Sequence, residues 1–333
     1  MSARALLLCV LGGAAAPGAL AAAPAAEHAR LAAHGLLVAI AQAGARLVAV
    51  GDRGVVVYSD DGGRTWTQAD TVPTQALLTG VCFFDASRGV AVGHDLTILT
   101  TGDSGRTWRR VHEDENAPGP LLDVWCGAGG QAIAVGAYSA YLASADGGAS
   151  WQSRPFKPAL PPAASRAAGE VAAGGFHLNR IAGAGGARLY IAGEAGHLYR
   201  SDDSGASWRQ LPSPYAGSFF GLLPLPGEAL LAFGLRGNLF RSPDGGATWV
   251  HLDSGTPAML DGGTVLPGGT VALVGLSGVV LVSGDGGRSF SLEQQADHSG
   301  LAAAAAAGDA LVTVGEDGAR RVALGAGPRG GAP

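Results

Sequence analysis

The chain has 333 residues, of which 55 are glycine and only 15% are charged. Its apolar fraction of 47% excludes an intrinsically disordered chain, and its formal net charge of −5 argues against binding to nucleic acid. The glycines follow no Gly-X-Y period, which excludes collagen. A turn-rich globular protein, most easily all-β, is therefore expected.

The N-terminus has the features of an export signal. Arg4 supplies one positive charge, residues 5–20 are apolar or small, and residues 19–21 read Ala-Leu-Ala, a typical cleavage site. We therefore expect a signal peptide at residues 1–21 and a protein in the periplasm or otherwise exported. A membrane anchor is the weaker alternative, because the stretch is short and is interrupted by glycine and proline.

One motif, Ser/Thr-x-Asp-x-Gly-x-Thr/Ser-Trp, occurs six times, with Phe in place of Trp in the sixth copy. The Asp can accept hydrogen bonds from backbone N–H groups that follow it, and the glycine two places later tolerates a positive φ. The aromatic residue then opens the next strand with a large surface to bury. Such repetition indicates a structural motif. Its Asp and aromatic positions are Asp61 and Trp66, Asp103 and Trp108, Asp146 and Trp151, Asp203 and Trp208, Asp244 and Trp249, and Asp285 and Phe290.

The spacing of these boxes predicts an all-β fold, a seven-bladed β-propeller over residues 36–325. Successive box aromatics are 42, 43, 57, 41 and 41 residues apart, and a four-stranded blade needs roughly 40–45. Six complete units precede a three-stranded last unit and a flexible tail at residues 326–333. In the N-terminal segment, residues 22–35, a strand near Glu27–His34 would close the last blade; a short helix or a loose leader is the alternative.

Two cysteines follow the signal. Cys82 and Cys126 occupy matching positions in neighbouring repeats, so both side chains should point the same way around the ring. A disulfide needs Cβ vectors that face each other. Two buried thiols are therefore expected, and oxidation in an exported protein is the alternative.

The box, joined to a preceding Val-Gly-x-x-Gly step, resembles the photosystem II stability/assembly factor family of seven-bladed propellers. The clearest copies are residues 49–54 and 191–196, and the resemblance covers residues 36–324. Photosynthetic members are non-enzymatic assembly factors that hold a membrane-protein subunit. Similar proteins in non-photosynthetic bacteria accompany exporters of the resistance-nodulation-division type. The resemblance implies a monomeric scaffold whose partner is a membrane protein or membrane complex, with such an exporter as one candidate.

Function is expected on the face that carries the turns between second and third strands and the links between blades. Arg53 and Arg236 occupy the same Gly-x-Arg-Gly slot in two units, and the resemblance implies that an arginine-bearing patch grips the partner. Solvated arginines without a role are the simpler alternative. The partner-binding candidates are Arg53, Arg236, His94, Tyr138, Glu194 and the Arg154–Gly175 loop.

Two other functions remain open. A sialidase-like glycoside hydrolase needs carboxylates, or a tyrosine with an acid and arginines, that converge on the propeller axis. Only Asp123 and Arg180 are expected there, and Arg180-Ile181-Ala182 lacks the proline of the sialidase Arg-Ile-Pro signature. A carbohydrate- or peptide-binding receptor module is the other possibility. The histidines show no metal-binding spacing, so neither a metal nor a cofactor is expected.

Overall fold

The structure, a computed structural model, describes residues 24–160 and 175–324. The predicted signal peptide, most of the Arg154–Gly175 loop and the predicted tail lie outside the described residues. The described chain forms seven antiparallel sheets, and each sheet is one blade. The innermost strands of successive blades contact one another in sequence order, and the last contacts the first, so that the ring is closed. The predicted seven-bladed β-propeller is confirmed.

Within each blade the strands follow the chain from the axis outward, four in each of the first six blades and three in the last. From the first blade to the last the strands are β1 (Leu37–Ala43), β2 (Arg46–Gly51), β3 (Val56–Ser59) and β4 (Thr67–Gln68); β5 (Leu78–Phe83), β6 (Gly89–Gly93), β7 (Ile98–Thr101) and β8 (Arg109–His112); β9 (Leu121–Cys126), β10 (Ala132–Gly136), β11 (Tyr141–Ser144) and β12 (Gln152–Ser153); β13 (Leu178–Gly183), β14 (Leu189–Gly193), β15 (Leu198–Ser201) and β16 (Arg209–Gln210); β17 (Phe219–Pro224), β18 (Leu230–Gly234), β19 (Leu239–Ser242) and β20 (Val250–Leu252); β21 (Leu260–Val265), β22 (Val271–Gly275), β23 (Val279–Ser283) and β24 (Ser291–Gln294); and β25 (Leu301–Ala307), β26 (Ala310–Gly315) and β27 (Gly318–Val322).

Short 3-10 turns connect many of these strands. They comprise Ala32–His34, Asp52–Gly54, Ala128–Gly130, Ala137–Ser139, Glu194–Gly196, Leu235–Gly237 and Leu276–Gly278. No helix among the described residues is long and apolar enough to cross a membrane.

The second strand of each blade lies at the centre of the packing. Every residue of β6, β10 and β22 is buried, because neighbouring blades cover both faces of these apolar, β-branched runs. The glycine that ends the second strand is required by a close backbone approach. A Cβ atom at Gly51 would lie 2.1 Å from the carbonyl oxygen of Leu36, and a Cβ at Gly93 would lie 2.2 Å from that of Leu77.

The last blade keeps three strands. The described part of the N-terminal segment contains no strand; it forms the 3-10 turn Ala32–His34, which is the short-helix alternative, and so the expected closing strand is not found. This turn instead takes the position of a link between blades. A Cβ at Gly318 would lie 1.9 Å from the Ala33 carbonyl oxygen, as a Cβ at Gly54 would lie 2.1 Å from that of Thr74. The ring closes by side-chain packing between the first and last blades.

The two cysteines form a disulfide, and the prediction of two free thiols is wrong. Cys82 and Cys126 lie near the ends of β5 and β9, the innermost strands of adjacent blades, and their Cα atoms are 5.6 Å apart. This separation is within the usual range for a bridge. Blades twist and converge at the axis, so equivalent positions on neighbouring inner strands come closer than flat, parallel blades would allow.

Candidate functional site

The turns between second and third strands form a ring of exposed residues on one face, here called the loop face. In six blades the second residue after the strand-ending glycine has a left-handed backbone, with φ between 51° and 58°. A side chain other than glycine adopts this conformation only where the surrounding structure imposes it. The residues concerned are Arg53, Asp95, Tyr138, Ala195, Arg236 and Ser277.

Arg53 and Arg236 occupy the same position of this turn, in the first and fifth blades. Both are exposed, and the Arg53 side chain, 86% accessible, forms within the described chain a single long ion pair, of 3.7 Å, with Asp52. The sixth and seventh blades lie between them on the shorter way round the ring. The two arginines therefore share a face but do not form one continuous patch.

Tyr138 and Glu194 are brought together by Phe176 and His177, which directly follow the Arg154–Gly175 loop. The half-exposed Tyr138 ring meets His177 edge-on, with centroids 5.1 Å apart. The backbone N–H of His177 donates to Oε2 of Glu194 over 3.2 Å, and Ser139 donates through its N–H and hydroxyl to the Phe176 carbonyl. The third and fourth blades therefore share one surface, which Tyr138, His177 and Glu194 form together.

His94 lies on the second blade, between Arg53 on the first and Tyr138 on the third. It is exposed in the turn of the second blade, where its carbonyl accepts the Thr97 N–H over 2.9 Å. The five candidates therefore stand on five consecutive blades. In ring order they are Arg53, His94, Tyr138, Glu194 and Arg236, and we call this set the loop-face arc.

The Asp boxes lie on the opposite face, here called the box face, between third and fourth strands. In the first box, Oδ1 of Asp61 accepts the N–H groups of Arg64 and Thr65 at 2.9 Å each, and Oδ2 accepts the Thr65 hydroxyl at 2.6 Å. The same pattern of bonds to the carboxylate recurs in the other boxes. Hydrogen bonds from Ser150 hold the pKa of Asp146 at about 2, so the carboxylate stays ionised. Such saturated carboxylates tie a turn together.

Three charged side chains meet at the propeller axis. One carboxylate oxygen of Asp123 accepts the Ile181 N–H over 2.9 Å, and the other lies 3.8 Å from Nη1 of Arg180. Arg180 also donates to the Asp261 carbonyl over 3.1 Å. Burial raises the pKa of Asp123, and it raises that of Asp261 to about 6 against the attraction of Arg180. The sequence analysis placed Asp123 and Arg180 here but missed Asp261.

These axial groups line a small cavity of about 130 Å³. Sites for small organic ligands usually occupy roughly 300–1,000 Å³. The cavity therefore suits a few water molecules better than a sugar ring. Among the described residues, no group of three or more His, Cys, Asp or Glu side chains is arranged to hold a metal ion.

Comparison with known proteins bears on the fold and on the repeat. The BNR/Asp-box repeat family matches residues 57–68, the box hairpin of the first blade. Curated protein sequences give no significant match. The structure described as YCF48 bound to D1 peptide superposes with a TM-score of 0.65 at 18% identity, over 89% of this chain and 94% of that one.

Two further solved structures give the same result. YCF48 from Cyanidioschyzon merolae superposes with a TM-score of 0.67 at 16% identity, over 86% of this chain and 94% of that one. The WD40 beta propeller domain of Doa1 superposes with a TM-score of 0.65 at 11% identity, over 90% and 95%. The expected resemblance is confirmed in the fold. The chain is a seven-bladed β-propeller with a BNR/Asp-box repeat and the fold of the YCF48 structures.

Proposed function

We propose that this protein is an exported, monomeric, non-enzymatic scaffold whose loop face binds a segment of a membrane protein or membrane complex. The observation that carries the proposal is the loop-face arc, in which fixed turns on five consecutive blades present polar and aromatic side chains. A structure of YCF48, whose fold this chain shares, is described as bound to a D1 peptide, which supports a protein or peptide as the ligand.

The turns of the arc are preformed for binding. In the first blade the Gly54 N–H donates to the Ala76 carbonyl and the Val55 N–H to the Asp52 carbonyl, both over 2.9 Å. A surface fixed in this way loses little conformational entropy when a partner docks. Arginine and tyrosine, which stand at three of the five positions, are also the residue types that often dominate binding energy at interfaces.

Export and the kind of partner rest on the sequence. The predicted signal at residues 1–21 supports a periplasmic or other exported location, and the family resemblance supports a membrane partner, with an exporter of the resistance-nodulation-division type as one candidate. The absence of catalysis is supported by the small axial cavity and by the saturated box carboxylates.

Affinity capture from native membranes tests this function. The tagged mature protein is crosslinked in membranes of its host, and recovered partners are identified by mass spectrometry. We expect an integral membrane protein, with recovery reduced about tenfold by the double variant Arg53→Glu/Arg236→Glu. The matched control reverses two exposed arginines of the box face, Arg88→Glu/Arg106→Glu, and should leave recovery unchanged.

Two results would contradict the proposal. Equal recovery of the partner with both double variants would show that the loop face is not the binding site. Failure to recover any membrane protein, together with specific retention on a glycan array, would favour the carbohydrate-binding receptor instead.

A further inference from the structure

The last blade has three described strands, and an open groove lies on the side of the ring where the other blades have a fourth. The groove has a volume of about 780 Å³ and lies between β27 and the box hairpin of the first blade, with the N-terminal turn at its end. We call it the closure groove. In the other six blades a fourth strand pairs with the outer edge of the third strand. In the last blade the third strand is β27, and its outer edge pairs with no described strand. Such an edge presents unpaired backbone groups to any extended chain.

One buried donor in this groove lacks an acceptor. Trp66, the box aromatic of the first blade, lines the groove, and its indole N–H has no hydrogen-bond partner among the described residues. The indole N–H groups of the other four box tryptophans are all satisfied. That of Trp249 donates over 3.0 Å to the carbonyl of Pro212, which follows the outer strand of the preceding blade. For Trp108 and Trp151 the acceptor is a carbonyl of the same box, Gly105 or Gly148, and for Trp208 it is the Tyr141 hydroxyl.

Two other blades show what a box hairpin receives from the blade before it. The backbone N–H of Trp108 donates over 2.9 Å to the backbone carbonyl of Thr71. The backbone carbonyl of Trp208 accepts the backbone N–H of Ala159 over 2.7 Å. Each donor or acceptor belongs to an extended segment after the previous blade's outer strand, and each contact forms a short parallel bridge. No described residue makes this contact with the first blade. The closure groove is therefore shaped to receive an extended chain.

The groove is basic although the chain carries a net charge of −5. Its described lining includes four arginines and one histidine, and none of the described lining residues is acidic. Arg320 is paired with Asp297 and Asp317. Arg64 and Arg321 donate to backbone carbonyl groups of the box hairpin, and no carboxylate in the described part of the chain forms an ion pair with either. Unpaired cations at a strand edge favour a ligand of opposite charge.

We propose that the closure groove binds an extended, acidic segment of a partner protein, which pairs with β27 as the fourth strand of the last blade. Backbone hydrogen bonds to the edge of β27 provide affinity, and carboxylates that face Arg30, Arg64 and Arg321 provide specificity. This site is separate from the loop-face arc and does not depend on the function proposed for it.

The C-terminal tail is a poorer occupant than an acidic partner. Residues 325–333 contain one arginine and no acidic side chain, so this tail offers no side-chain carboxylate to the arginines of the groove. They also contain two prolines, and proline cannot donate to a β-ladder.

The test uses the full mature chain and a fluorescent peptide of about eight residues in which Glu alternates with Val or Thr. The control peptide has Lys in place of Glu. Binding is followed by fluorescence anisotropy, and hydrogen exchange reports the amides of β27. We expect the acidic peptide alone to bind and to slow exchange in Gly318–Val322. The exposed double variant Arg30→Glu/Arg64→Glu should weaken binding about tenfold, and Arg53→Glu/Arg236→Glu should not.

Four outcomes would overturn the inference. The first is binding without slower exchange in β27, and the second is equal binding of the Glu and Lys peptides. The third is binding that appears only after truncation at Leu324, which would identify the tail as the occupant. If neither peptide binds at millimolar concentration to a chain with an unchanged melting curve, the groove has no affinity for extended segments. None of these results bears on the loop face, which the Arg53→Glu/Arg236→Glu variant tests separately.

Discussion

At the scale of single residues, the box tryptophans differ in how much stability they provide. Trp108 is 4% exposed and donates its indole N–H to the Gly105 carbonyl over 3.0 Å, whereas Trp66 lines the closure groove without an acceptor. The five boxes that carry tryptophan look equivalent in the sequence. The difference arises because the neighbour of each blade decides what its box packs against.

We expect Trp108→Ala to lower the free energy of unfolding by about 3–5 kcal/mol, because a large aromatic side chain leaves a buried site. Trp66→Ala should cost clearly less, since its site is already partly open. Chemical denaturation of both variants measures the two costs. Equal losses would contradict the distinct role assigned to Trp66.

The axial carboxyl group of Asp261 makes stability depend on pH. Burial raises its pKa to about 6, above the value near 4 of an unfolded chain. The folded state then holds the proton more tightly, so this contribution is full below about pH 4 and is lost as the pH rises through about 6. Asp261→Asn removes the buried charge and should stabilise the protein by about 1–3 kcal/mol at about pH 8.

Melting temperatures measured across this pH range check the prediction. The gain of Asp261→Asn over the wild type should shrink toward about pH 4, where both proteins carry a neutral group. Asp309→Asn, an exposed turn position, is the control and should show no such trend. A gain that is the same at every pH would mean that Asp261 is not the titrating group.

At the scale of elements, the bridge between β5 and β9 fastens two blades at the axis. It joins residues 44 apart in sequence, and closing a loop of that length restricts the unfolded chain. We expect Cys82→Ala/Cys126→Ala to lower the free energy of unfolding by about 2–4 kcal/mol. Denaturation with and without a reducing agent measures the effect. The wild type should be sensitive to the reducing agent and the double variant should not; equal curves would show that the bridge contributes nothing.

The elements themselves could largely be predicted from the sequence. The box fixes the turn between third and fourth strands, and the strand-ending glycine marks a place where only hydrogen fits against the next backbone, as at Gly51. The disulfide could not be predicted in this way, because it depends on distances between blades. Nor could the grouping of Tyr138, His177 and Glu194, which the packing of two blades determines.

At the scale of the whole molecule, the ring has two faces and one incomplete side. The loop face carries the arc from Arg53 to Arg236, the box face carries saturated carboxylates, and the closure groove lies where the last blade ends early. The sequence indicated that the last unit has only three strands. It could not show that the N-terminal segment would replace a link and leave the strand position open, because backbone packing at Gly318 decides that.

Site-specific photocrosslinking on native membranes tests the central claim most directly, namely that the loop face holds a membrane partner. A benzophenone amino acid is introduced at Tyr138, which is 56% exposed on the arc, and separately at Arg106 on the box face. The account predicts a discrete adduct with a membrane protein from position 138 and none from position 106. Equal adducts from both positions, or an adduct from position 106 alone, would contradict it.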